Sequence, residues 1–101
     1  MALDFKYEED DVQLSVYAKA LAHPARVTIL KILGENDAYT CGEIVRELSL
    51  SQSTVSQHLQ ELKNAGLITA RAVGTKSEYS LKLKSVGKAE KLFKKLFKLI
   101  E

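Results

Sequence analysis

The chain has 101 residues, 46% hydrophobic and 28% charged, the proportions of an ordinary folded domain, so one domain is expected, with a modest core that burial against a second copy would enlarge. No apolar run approaches the ~20 residues needed to cross a membrane, the start MALDFKYEEDD is too acidic for a signal peptide, and the single cysteine, Cys41, excludes an intrachain disulfide and a Cys-cluster zinc site, so a cytoplasmic protein is expected. The net charge of +2 hides an asymmetry, five Lys/Arg against nine Asp/Glu in residues 1–50 and ten against four in residues 51–101, which puts an anion-binding surface, or a solvated lysine face, in the second half.

Residues 1–9 are expected to be loosely ordered. Asp10 or Asp11 is expected to cap a helix running to about Leu21, with Val12, Val16, Tyr17, Ala20 and Leu21 on one stripe. His23-Pro24 opens a second helix, with Pro24 in the first turn, where its missing N–H costs nothing. Val27, Ile29, Leu30, Ile32 and Leu33 make this helix apolar on most of its surface and therefore central, and Gly34 is expected to end it as a C-cap. Residues 35–39, ENDAY, read as a loop. Thr40-Cys41-Gly42-Glu43 has the S/T-x-x-E form of a capping box, and the helix behind it buries Ile44, Val45 and Leu48. Ser49-Leu50-Ser51 is a turn, Ser51 caps a fourth helix, and Asn64-Ala65-Gly66 stops it. Two strands, 67–73 and 77–83, flank a Gly74-Thr75-Lys76 turn and form a hairpin. Gly87 is expected to precede the last helix, residues 88–101.

The most informative stretch is 40–67, TCGEIVRELSLSQSTVSQHLQELKNAGL. On a wheel turning ~100° per residue, Leu59 and Leu62 fall within about 40° of Val55 and define a buried stripe. Ser53, Ser56, Gln57 and Gln60 fall on the opposite side, and none is apolar or charged. Surface helices usually place Lys and Glu there. Uncharged Ser and Gln donate and accept at base edges, and Gln pairs bidentately with adenine. The first turn, Ser51, Gln52 and Ser53, presents free backbone N–H groups that suit a phosphate. The competing reading is a polar surface helix with no partner.

His58 lies at the edge of the buried stripe and is read as a half-buried histidine bonded within the fold. A metal role is not expected, because only Glu61 among its helical neighbours could ligate. The hairpin carries Arg71, Lys76 and Lys82, with Lys84 beyond it. Beside a groove-reading helix, these would meet phosphates, adding affinity and salt dependence but little sequence preference. Tyr79 is expected to pack on the reading helix rather than stack on a base.

LAHPARVTILKIL, TCGEIVRELSLSQSTVSQHLQELKNAGLI and the RAVGTKSEYSL hairpin resemble the ArsR/SmtB family of bacterial winged-helix repressors, from about Tyr17 to Leu83. The resemblance implies a winged helix-turn-helix, mainly α with a β-hairpin, in the order α-α-α-α-β-β-α. It implies a homodimer joined by its first and last helices (10–22 and 88–101), a helix-turn-helix at 41–64, a wing at 67–83, and a palindromic operator. It also implies release by a ligand, often a metal ion. Carried over by position, Gln52, Ser53, Ser56 and Gln57 contact bases, with Arg71 and Lys76 in the wing.

The departures bear on the trigger. Metal-sensing members carry Cys-x-Cys at the start of the third helix, where this chain has Tyr39-Thr40-Cys41. Others bind zinc through Asp, His and Glu on the last helix, which here contains no His. Neither metal site can be assembled, and no cofactor or named inducer is expected. Cys41 has two readings: a soft-ion or oxidant sensor with its thiol pKa lowered by the helix start, or a small buried side chain, which is preferred.

In the last helix Ala89, Leu92, Phe93, Leu96, Phe97 and Ile100 form an apolar stripe, and five lysines cover the rest. This fits a membrane-surface helix or a dimer helix, and the dimer is preferred because no second membrane anchor is visible. The expected protein is a homodimeric repressor that binds double-stranded DNA. The alternative is a winged-helix module for protein–protein contact with no DNA target. An enzyme is not expected, since no nucleophile–base pair, carboxylate pair or phosphate-cradling glycine loop is present.

Overall fold

The computed structural model describes residues 6–101. Five helices and a three-stranded antiparallel sheet follow one another as α1 (Glu9–Ala20), α2 (Pro24–Glu35), β1 (Tyr39–Thr40), α3 (Cys41–Leu48), α4 (Gln52–Asn64), β2 (Ile68–Val73), β3 (Lys76–Leu81) and α5 (Leu83–Leu99). Of the stretch read as loosely ordered, residues 1–5 lie outside the described residues.

The local stop and start signals act where the sequence places them. Thr40 Oγ1 accepts the Glu43 N–H at 3.2 Å while Glu43 Oε1 accepts the Thr40 N–H at 3.0 Å, a complete capping box for α3. Ser49 turns left-handed with φ 55°, and Ser51 Oγ accepts the Thr54 N–H at 3.2 Å to start α4. At the other end of α4, the Gly66 N–H bonds to the Lys63 carbonyl and the Leu67 N–H to the Leu62 carbonyl. That is a Schellman stop, and it needs the φ of 80° that Gly66 supplies without strain. Gly74, at φ 62°, takes the first position of the two-residue Gly74-Thr75 turn between β2 and β3.

Four expectations are corrected. First, α1 begins at Glu9, before Asp10 and Asp11, and its cap residue Glu8 makes no side-chain bond. The acidic side chains of the first turn act on the positive end of the helix from within it. Second, Gly34 lies inside α2. The helix ends instead at Glu35 and is capped by Asn36, whose Nδ2 donates to the Ile32 carbonyl at 2.8 Å and whose extended conformation needs no left-handed glycine. Third, the end of ENDAY is not loop: Tyr39 and Thr40 form β1, paired with Tyr79 and Glu78 of β3. A two-residue strand is too short to show a period of two, and its partners lie about 40 residues away. Fourth, α5 starts at Leu83, so the wing strand ends at Leu81 and Gly87 sits within the helix. A mid-helix glycine costs about 1 kcal/mol but does not terminate the element.

The core is built by α2, α3 and α4. Ile29, Ile44, Val55, Leu59 and Leu62 are wholly buried, and Leu67 and Ile68 close it from the start of the wing. Tyr79 and Leu81 of β3 pack against the same cluster. Tyr17 and Ala20 of α1 and Ala89 and Leu92 of α5 are buried in the same cluster, and α1 lies against α5. The expected α1 stripe is buried only in part, since Val12 and Val16 are exposed.

Candidate nucleic-acid interface

Burial of Val55, Leu59 and Leu62 fixes the rotation of α4 about its own axis. Gln52, Ser53, Thr54, Ser56, Gln57 and Gln60 are thereby left exposed. The side chains of this face differ in freedom. Ser51 is used by the cap and also donates to Thr54 Oγ1 at 2.8 Å, with Ser53 Oγ 3.3 Å away. Gln60 Nε2 donates to Asn64 Oδ1 at 2.8 Å, so this side chain is tied along the helix. Gln52, Ser56 and Gln57 make no side-chain hydrogen bond within the described residues, leaving their donors and acceptors open.

A cleft of about 490 Å³ lies between the starts of α3 and α4 and the wing turn, lined among others by Thr40, Glu43, Arg46, Gln52, Ser56 and Lys76. Its carboxylate, Glu43, is held below the usual range, first by its bonds from the Thr40 backbone and hydroxyl and then by the Arg46 and Lys76 charges. The structure thus brings Gln52, Ser56 and Lys76 to one cleft and sets Ser53, Gln57 and Gln60 along the outer face of α4. Arg71 does not line the cleft. It sits opposite Glu78 across the β2–β3 pair and bridges to it at 3.4 Å. Its side chain is 80% exposed, so this ion pair holds it only weakly.

Sequence reasoning missed Arg46, Thr75 and Ser77 as cleft residues. Arg46 falls on the exposed side of α3, and a wheel on that helix would have shown this. Its position near the wing follows only from the packing of the sheet beside α3.

Cys41 lines the cleft half-buried, and burial pushes its thiol pKa up. The lowered thiol of the sensor reading is therefore not found, because burial disfavours the thiolate. Tyr79 is half-buried beside it, its hydroxyl pKa raised first by burial and then by Cys41. His58 is 8% exposed and accepts from Arg26 Nε at 3.1 Å, the internal bond anticipated for it. Among the described residues no group of three His, Cys, Asp or Glu side chains is placed to hold a metal ion.

The two outer helices present a different surface. Beyond Leu92 and the half-buried Phe93, the end of α5 leaves Leu96, Phe97 and Leu99 exposed together with Ile100, and α1 leaves Val12 and Val16 exposed. Phe93 and Phe97 stack with ring centroids 6.4 Å apart. No helix of the described residues is long and apolar enough to cross a membrane.

Residues 23–70 match the bacterial regulatory protein, arsR family. The chain is 44% identical over 61 residues to MJ1325, an uncharacterised HTH-type transcriptional regulator of Methanocaldococcus jannaschii, covering 60% of this chain and 68% of that relative. It is 33% identical over 90 residues to the transcriptional activator HlyU of Vibrio cholerae, covering 89% of this chain and 82% of the relative. The chain belongs to the arsR family. A solved structure of Vibrio cholerae HlyU is similar with a TM-score of 0.74 at 32% identity, covering 92% of this chain and 97% of that one. The transcriptional repressor PagR of Bacillus anthracis is 38% identical over 61 residues, 60% of this chain and 59% of its own length. As an arsR-family member the protein is a transcriptional regulator, not an enzyme, and its fold is the winged helix-turn-helix. The family match covers α2 to α4 and the start of β2, leaving out α1, the wing tip and α5.

Proposed function

We propose that the protein is a homodimeric, sequence-specific DNA-binding repressor that acts in the cytoplasm on a palindromic operator and is released by a signal the chain does not name. The observation that carries this reading is the division of α4: three fully buried apolar residues on one side, and on the other an uncharged face whose Gln52, Ser56 and Gln57 are unpartnered. Such a face suits base edges in a major groove. Ser53 and Gln60 extend it, while Lys76 and the more weakly placed Arg71 supply phosphate contacts. Arg46 joins them at the cleft.

The homodimer draws support from the exposed apolar residues of α1, Val12 and Val16, and of the end of α5, which a second copy would bury. A two-fold axis there would present the two α4 helices to successive major grooves, about 34 Å apart. Related proteins are named both as activators and as repressors, and repression is the reading adopted here because a dimer seated on a palindrome excludes other proteins from it.

The test is a titration on DNA from the protein's own promoter region at several salt concentrations. Affinity is expected to fall linearly in log–log form, with a slope of about −0.9 per phosphate contact. A salt-independent response, or no binding, would favour the protein–protein module instead.

A further inference from the structure

Two side chains at the start of α2, the exposed His23 and the half-buried Arg26, meet the buried His58 of α4. His23 caps α2, its Nδ1 accepting the Ala25 N–H at 3.0 Å. Arg26 Nε donates to His58 Nδ1 at 3.1 Å, and Arg26 Nη1 reaches the Lys19 carbonyl at 3.4 Å. The two imidazole rings lie 4.4 Å apart at 46°. One guanidinium therefore ties the end of α1 and the start of α2 to the middle of the reading helix. His58 stands directly after the exposed Gln57 and directly before the fully buried Leu59.

His58 accepts the Arg26 hydrogen bond at Nδ1, so its ring carries its proton on Nε2 and is neutral. The charged groups around His58 offer an imidazolium no anionic partner in hydrogen-bond contact. From α2 come Arg26 and His23. Lys19 of α1 and Glu61 of α4 line the adjoining depression where those two helices meet. On α3, Glu43 is held by Thr40 and Glu47 by Tyr39, while Arg46 lines the cleft. On β2, Arg71 pairs with Glu78.

We propose that His58 is a positioning residue for DNA recognition, whose neutral imidazole locks α4 to the α1–α2 corner through Arg26 and whose protonation releases that lock, so that acid weakens operator binding. The proposal rests on the DNA-reading function above. The proton would enter at Nδ1, the atom to which Arg26 donates. An N–H of an imidazolium would then face an N–H of a guanidinium, and an attractive bond would become a repulsion between two cations.

Burial, then His23, then Arg26 hold the His58 pKa below its ordinary value of 6.5. The folded state thus favours the neutral ring. Its contribution to stability is complete above pH 6.5, declines as pH falls below that value, and stops declining once pH passes the folded pKa. Operator binding, which requires α4 in place, is expected to follow the same direction. Non-specific binding should do the opposite, since added positive charge strengthens phosphate contact.

The experiment uses the full chain, an operator duplex that the protein selects from random-sequence DNA, and a scrambled duplex. Both are titrated at pH 7.5 and 5.5 at constant ionic strength, and the His58 ring is followed by NMR. Operator affinity is expected to fall by more than about threefold on acidification, while scrambled affinity holds or rises. In His58→Asn, which keeps an acceptor near the Nδ1 position but cannot titrate there, the ratio between the two pH values should stay within about twofold. The wild-type ring should show the Nε2–H tautomer at pH 7.5 and titrate together with the loss of operator affinity, a readout that stands even if the variant folds poorly. Operator affinity that is flat or rises in acid, an equal fall in His58→Asn, or a ring already protonated at pH 7.5 would overturn the proposal alone. No preference for the selected duplex at pH 7.5 would overturn the DNA-reading function and this proposal with it.

Discussion

The helices α4 and α5 are both amphipathic, yet folding leaves them with opposite remainders. In α4 the apolar residues Val55, Leu59 and Leu62 are completely buried within the chain, and an uncharged polar face is left over. In α5 only Ala89 and Leu92 are buried, while Phe97, Leu99 and Ile100 stay 56%, 75% and 66% exposed among lysines. A helix whose apolar stripe is satisfied has only hydrogen-bonding groups to offer a partner. A helix whose stripe is half satisfied has hydrophobic area to offer. The contrast supports the proposal of polar recognition by α4 and self-association by α5.

The comparison is broken most severely by emptying the satisfied stripe. Leu59→Ala should cost about 2–5 kcal/mol of stability, because a cavity opens in a core that cannot fully collapse; Leu99→Ala, on the exposed end of α5, should change monomer stability by less than about 0.5 kcal/mol. Chemical denaturation of both variants reads the difference, and equal costs would remove the distinction between the helices.

Charging the unsatisfied stripe comes next. The double substitution Phe97→Glu with Ile100→Glu should weaken self-association by roughly 100-fold, about 3 kcal/mol, with helical content retained. Sedimentation velocity checks this, and an unchanged dimer would place the interface elsewhere.

On the polar side, Gln57→Ala should reduce operator affinity by about 1–3 kcal/mol and leave binding to scrambled DNA nearly unchanged. Equal losses on both duplexes in a fluorescence anisotropy titration would deny Gln57 a role in base reading. The smallest effect concerns how α5 is built. Gly87 lies within the helix, and a Cβ added there meets nothing within 4 Å. Gly87→Ala should therefore stabilise the fold by about 0.5–1 kcal/mol, measurable as a raised melting temperature.

What could be read in the sequence follows the range of the interactions involved. The Thr40–Glu43 box, the Ser51 cap and the Gly66 stop each close within about five residues, so residue types at fixed spacing were enough to place them. The wheel of α4 was legible for the same reason, since its buried and exposed sides are set by a repeat within one helix. Local rules failed where a local signal was overridden. Gly34 resembles a stop and Gly87 the residue before a helix, but α2 runs on to Glu35 and α5 already starts at Leu83.

By itself, then, the sequence determined which segments are helical, which side of α4 turns inward, and that no usual metal set is present among its Cys and His. Only the tertiary structure decided that β1 exists, that Arg46 and Lys76 share one cleft with Gln52 and Ser56, that the Cys41 thiol is raised rather than lowered, and that Arg26 meets His58. The physical reason is distance along the chain. Arg26 and His58 are 32 residues apart, and β1 lies 38 or more residues before its partners on β3. Such contacts carry no local period or spacing, and they form only when the buried stripes of α2, α3 and α4 have packed and fixed where each exposed side chain must go.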